Sequence, residues 1–121
     1  MTDVVVTVPK RLWAAWLEEG DLPGEEWSRY DSDFWLGHGA PPSCVPGDRI
    51  YIVAHGRLRG YAPLVMIRWR SRGYSLVRRD GAEAVTILEA ITGFRGWRYR
   101  WWLRDGEIAF PDWKDPSAVP S

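Results

Sequence analysis

The stretch best equipped for chemistry is Trp97-Arg98-Tyr99-Arg100-Trp101-Trp102, where guanidinium groups alternate with aromatic rings. Arginine grips a phosphate through two parallel N–H donors, and a ring stacks on an unpaired base for about 1–3 kcal/mol. As an extended strand the segment sets Trp97, Tyr99 and Trp101 on one face and Arg98, Arg100 and Trp102 on the other. One face is then core, and the other displays cations beside an indole, as a single nucleic-acid strand requires. Packing of arginine on tryptophan inside the fold accounts for the same composition.

A second group is Trp27, Tyr30, Phe34, Trp35 and His38. Over the mouth of a barrel these side chains would line a pocket for a flat ligand such as a flipped base; as core they would simply cover the sheet's open end. His38 and His55 each lie beside a glycine. With Glu25 they are the residues that acid–base chemistry would draw on. A turn histidine is more often solvated or capping, so no catalytic residue is assigned and no enzymatic activity is expected. Asp48 follows Gly47, where a short carboxylate bonds the local backbone. Cys44, the single cysteine, lies in Pro41-Pro42-Ser43-Cys44-Val45-Pro46 with no base in view. One cysteine and two histidines cannot supply a zinc spacing, so neither metal nor cofactor is expected.

Charge sharpens the first reading. Residues 1–48 hold three basic and nine acidic side chains, residues 49–104 twelve and three, and residues 105–121 one and four. All twelve cations of the middle segment are arginines, the footprint of a nucleic-acid binder. Strands that alternate solvent-facing Arg with buried residues, under acidic flanks that fold back over them, produce the same statistic. Arg57, Arg59, Arg98 and Arg100 are the candidate phosphate contacts. Trp27, Trp35, His38, His55 and Trp102 are the candidate stacking or pocket residues.

The elements that must position these groups are mostly strands. At 121 residues the chain fits one domain, taken as 1–113 with a tail at 114–121. Val4-Val5-Val6-Thr7-Val8 is β-branched and reads as a buried strand. Pro9 opens a helix carrying Leu12, Trp13, Trp16 and Leu17 as one apolar stripe, closed by Gly20. Glu25–Leu36 suits a short second helix. Strands follow at Ile50–Ala54, at Arg57–Trp69 with a bend near Gly60 or Pro63, and at Tyr74–Arg79. A shorter strand, or the approach to one, is expected at Ala84–Leu88, and a hairpin of Trp97–Leu103 with Glu107–Phe110 through Asp105-Gly106. Trp113 is expected to dock the tail. No apolar run approaches the roughly 20 residues of a membrane span, and nothing resembles a signal peptide. A cytoplasmic protein, monomeric or weakly dimeric, is expected.

Strand, helix, acidic loop and then Pro46-Gly47-Asp48-Arg49-Ile50-Tyr51-Ile52-Val53 resembles the PUA-like superfamily, which includes the ASCH and EVE domains. Leu58-Arg59-Gly60-Tyr61-Ala62-Pro63-Leu64-Val65 looks like the family's next strand with its central glycine. The resemblance implies an α+β fold, a curved antiparallel pseudo-barrel with one N-terminal helix and a short second helix. It also implies recognition of RNA or a modified base. In the ASCH pattern Gly-x-Lys-x-x-Glu-x-Arg, Gly20 and Glu25 match, but Leu22 and Trp27 stand at the cationic positions and Arg29 comes two residues late. The groups that an ASCH-type ribonuclease relies on are therefore not carried over. A nucleic-acid-binding module is the leading expectation; an ASCH-like nuclease and a protein-interaction domain are the alternatives.

Overall fold

The computed structural model describes residues 2–19, 32–36, 39–71, 73–78 and 83–120. Its centre is β1 (Val4–Thr7) paired in parallel with β3 (Arg49–Ala54), Val4 beside Ile50 and Val6 beside Ile52. Parallel pairs persist where both faces are covered, which is why both strands are apolar nearly throughout. From β3 the sheet continues antiparallel through β4 (Arg57–Arg70) and β5 (Gly73–Arg78) to β2 (Ser32–Leu36). On the other side β7 (Trp97–Tyr99) pairs antiparallel with β1, giving the order β2-β5-β4-β3-β1-β7. A separate two-stranded ladder joins β6 (Val85–Thr86) to β8 (Ile108–Ala109).

The large sheet curls into a half-barrel. β5 and β7 stand four strand positions apart, about 19 Å in a flat sheet. Yet Trp97 Nε1 donates to Tyr74 Oη at 2.7 Å. The face between them, carrying Val4, Val6, Ile50, Leu64, Tyr74 and Leu76, is the concave core. Toward its other end, Val8, Ile52 and Ala54 pack with Phe110, Trp113 and Trp13 of α1 (Lys10–Glu19). The convex face carries Val5, Tyr51, Val53 and Leu58 under Ile87 and Ile91. Each large aliphatic side chain so buried contributes about 1.5–3 kcal/mol. In the helix stripe, Trp13 and Leu17 face the core while Leu12 is exposed.

Three expectations need correction. Residues 32–36 are an edge strand, not the end of a second helix. Phe34 and Trp35 suit a pleated surface, and β5 offers an open ladder of N–H and C=O groups that β2 fills. Residues 25–31 lie outside the described residues. The 97–103 segment is extended only to Tyr99, and it pairs with β1 instead of with 107–110. A 3-10 turn at Arg104–Gly106 then sends the chain to β8, whose partner is β6. Lastly, the sheet is not wholly antiparallel, because of the β1–β3 pair.

Strand β4 carries two bulges. Ile52 faces Gly60 while Val53 faces Leu58, which leaves Arg59 as the extra residue; Val65 is extra in the same way between Leu64 and Met66. A bulge re-aims a side chain, and here it turns Arg59 into the protein. Gly60 is needed beside it: a Cβ there would stand 2.4 Å from the Glu83 carbonyl oxygen. That close approach lets Tyr61 and Glu83 exchange two backbone hydrogen bonds of 3.0 Å and brings the 83–86 segment onto β4.

Candidate functional site

The sequence-chosen arginines separate sharply in the structure. Arg59 is 0% exposed. Its guanidinium donates to the carbonyls of Ala54 (2.9 Å), Trp113 (3.2 Å), Asp115 (2.9 Å), His55 (3.4 Å) and Pro116 (3.4 Å), and lies over the Phe110 ring. It fastens residues 113–116 to the β3–β4 turn and presents nothing to a phosphate. Residues 114–117 keep exposed side chains while the Asp115 and Pro116 carbonyls are held, and Ala118 packs partly buried on the same core cluster as Trp13 and Trp113. Arg57 is half-buried and donates to the Ile87 and Leu88 carbonyls at 3.3 and 3.4 Å.

Arg100 is also engaged. Its Nε donates to Asp3 Oδ2 at 3.1 Å, and its Nη1 donates to the Trp102 carbonyl. Arg104 donates to the same Asp3 oxygen at 2.7 Å, and Asp3 Oδ1 accepts the Arg49 backbone N–H at 2.9 Å. Burial pushes the Asp3 carboxyl up, but the Arg49 N–H and the two guanidiniums outweigh it and hold the group below the usual carboxylate range. Glu107 plays a matching role. It accepts from Tyr51 Oη (2.6 Å), Trp102 Nε1 (2.9 Å) and Arg49 Nη1 (3.2 Å). Burial and the Glu107 contact push the Tyr51 phenol up to about 12, so it stays a neutral donor. Trp102 is consequently a wall of this buried network, its ring edge-on to Tyr51 at 5.1 Å.

Arg98 is the exception. It is exposed, and no carboxylate among the described residues pairs with it or with Arg95. Its guanidinium carbon lies 4.5 Å over the Phe94 ring. Trp101, 43% exposed, meets Phe94 edge-on at 6.4 Å. The backbone places these groups for local reasons. Ile91 N–H donates to the Gly56 carbonyl (2.8 Å) and Phe94 N–H to Thr7 Oγ1 (3.3 Å), which holds the loop on the convex face. Gly96 takes φ +71° to turn the chain into β7, a conformation other residues adopt rarely. Arg98 then stands opposite Val5, on that convex side, while Trp97 and Tyr99 stand opposite Val6 and Val4 on the concave side. Alternation therefore holds through Tyr99. It lapses at Arg100, so Trp101 joins Arg98 instead of Tyr99.

The remaining candidates do not gather here. Trp27 and His38 lie outside the described residues, as do Glu25 and Tyr30. Trp35 is placed in β2 opposite Ser75, with only its backbone described. His55 occupies the β3–β4 turn at φ +50°, and burial together with the charges of Arg59 and Lys10 depresses its pKa. Cys44 is buried in the concave core, where burial and the Asp48 charge push its thiol up, against any nucleophilic use. Asp48 Oδ2 accepts the Val45 N–H at 2.9 Å, the local bond expected of it. Among the described residues no group of three or more His, Cys, Asp and Glu side chains could hold a metal ion. No described helix is long and apolar enough to cross a membrane.

Sequence reasoning missed Phe94, Arg95 and Trp101 as one site. The signal was the spacing of Phe94-Arg95-Gly96 before the arginine–tryptophan run, which a turn folds onto itself. The class that the fold defines is a mostly β, α+β protein built on a curled half-barrel sheet. No protein-family model, curated protein or solved structure matches the chain.

Proposed function

We propose that this protein is a nucleic-acid-binding module of PUA-like architecture that holds a single strand of RNA or DNA on the convex side of β7. The observation that carries the reading is Arg98, exposed and with no carboxylate partner among the described residues, lying over Phe94 beside the half-exposed Trp101. A guanidinium stacked on a ring is oriented in advance and keeps its edge N–H donors for a phosphate. Arg95 supplies a second cation in the same turn, and Trp101 offers a face for a base. Single-strand binders combine these two devices. The order of β1, α1, the Gly47-Asp48 turn into β3, and a β4 with a glycine at its bend supports the PUA-like part of the reading.

The test is anisotropy of labelled oligouridine and oligothymidine across a salt series. Affinity is expected to fall as salt rises. Arg98→Gln should flatten the slope of log K against log salt by about 0.7, and Trp101→Ala should cost about 1–3 kcal/mol with the slope unchanged. Absence of binding at low salt, or binding indifferent to both substitutions, would reject the reading.

A further inference from the structure

We infer that the bound strand passes over the edge of β7 and makes a second stacking contact at Trp69, on the tip of the β4–β5 hairpin; this rests on the reading above. Trp69 is 68% exposed, against 44% for Tyr99 and 43% for Trp101. Its open face is available for a base to stack on.

Trp69 is held, not loose. It stands directly across from Tyr74 in the ladder, and the two rings meet edge-on at 5.9 Å. Tyr74 is buried, its hydroxyl accepting from Trp97 Nε1 at 2.7 Å and donating to the Ala40 carbonyl at 3.1 Å. Trp97 in turn meets Tyr99 at 4.7 Å. Tyr99 is 44% exposed, with its hydroxyl accepting the Ser43 N–H at 2.9 Å. Trp69, Tyr74, Trp97 and Tyr99 thus form one contiguous ring series on the concave side. It ends at the same short strand whose convex side carries Arg98.

Charge selects a polyanion as the occupant. In the sequence Trp69 is flanked by Arg68 and Arg70, and residues 49–79 contain no aspartate or glutamate. Arg68 is exposed. Two stacking contacts joined by one strand act as a linked pair, so affinity must depend on length.

The experiment compares oligouridines of about 4 and about 16 nucleotides, the range over which single-strand sites vary. The unsubstituted protein should bind the long one about tenfold or more tighter. Trp69→Ala should abolish that advantage and leave the short oligonucleotide unaffected, whereas Trp101→Ala should weaken both. Trp69→Phe, which keeps a ring, should restore most of the advantage. Unchanged far-ultraviolet circular dichroism is expected for all three, because both rings are substantially exposed. If Trp69→Ala leaves long-strand affinity unchanged while Trp101→Ala reduces it, the second contact is refuted and the primary site survives. If neither oligonucleotide binds, the primary reading fails and takes this one with it. Should Trp69→Ala reduce only binding to phosphatidylserine vesicles, the tip is a membrane contact and the inference is overturned.

Discussion

Arg59 shows how far a side chain's role can depart from its type. A guanidinium taken from water is costly unless its donors are met, and here five backbone carbonyls and the Phe110 ring surround it. The reward is mechanical: one side chain ties the β3–β4 turn to residues 113–116. Arg59→Ala should therefore cost about 3 kcal/mol in urea unfolding, from carbonyls left without donors. Trp113 fluorescence should shift as the 113–116 segment loosens. Asp3 supplies the opposite case, a buried carboxylate whose partners are cations. Its proton affinity is lowered in the folded state and ordinary in the unfolded chain, so below about pH 4 only the unfolded state gains the proton. The stabilisation is present above that range and is lost as the pH falls through the native value. Asp3→Asn should be about 1.5–3 kcal/mol less stable at pH 7, from the loss of its charge-assisted hydrogen bonds to Arg100 and Arg104. Its stability curve should converge with that of the unsubstituted protein in acid, as urea unfolding at each pH would reveal.

Among the elements, those defined by local chemistry were legible in advance. The Val4-Val5-Val6-Thr7 run, the helix after Pro9, and the strands around Ile50 and Tyr74 each follow from β-branching, turn residues or helical spacing. β2 was not legible, because Ser32–Leu36 is short and ambiguous and the open edge of β5 decides its state. The expected hairpin after Tyr99 failed for a related reason: Asp3, 97 positions away in the chain, takes Arg100 and draws it off the strand. That Arg98 faces away from the concave core could be read from strand alternation alone. The fate of Arg59 could not, since it depends on a bulge in the β3–β4 register and on carbonyls of residues 113–116 far along the chain. The approach of Glu83 to Gly60 is also testable. Gly60→Ala forces a Cβ to within 2.4 Å of a backbone oxygen, which a strand paired on both sides cannot yield without losing pairing. A loss of about 1–3 kcal/mol is expected. Amide exchange should accelerate at Tyr61 and Glu83 before it does so in β1 or β3.

For the molecule as a whole, the count of arginines overstates the charge available to a ligand. Twelve arginines lie between residues 49 and 104, enough for a salt slope of about −8 if each met a phosphate of a single strand. The fold spends several of them internally: Arg59 on carbonyls, Arg49 on Glu107, and Arg100 with Arg104 on Asp3. A short oligonucleotide held by Arg95 and Arg98 alone should show a slope of only about −1.4. This modest value separates a local site from diffuse attraction to a basic surface. The buried carboxylates set that limit, so removing one should raise it. In Asp3→Asn, with its fold verified by circular dichroism at pH 7, Arg100 loses its carboxylate while remaining two residues from Arg98. The slope should steepen by about 0.7 and affinity at low salt should rise. An unchanged slope in a folded variant would mean that Arg100 stays bound to the Trp102 carbonyl and out of the ligand's reach, leaving Arg95 and Arg98 as the whole electrostatic site.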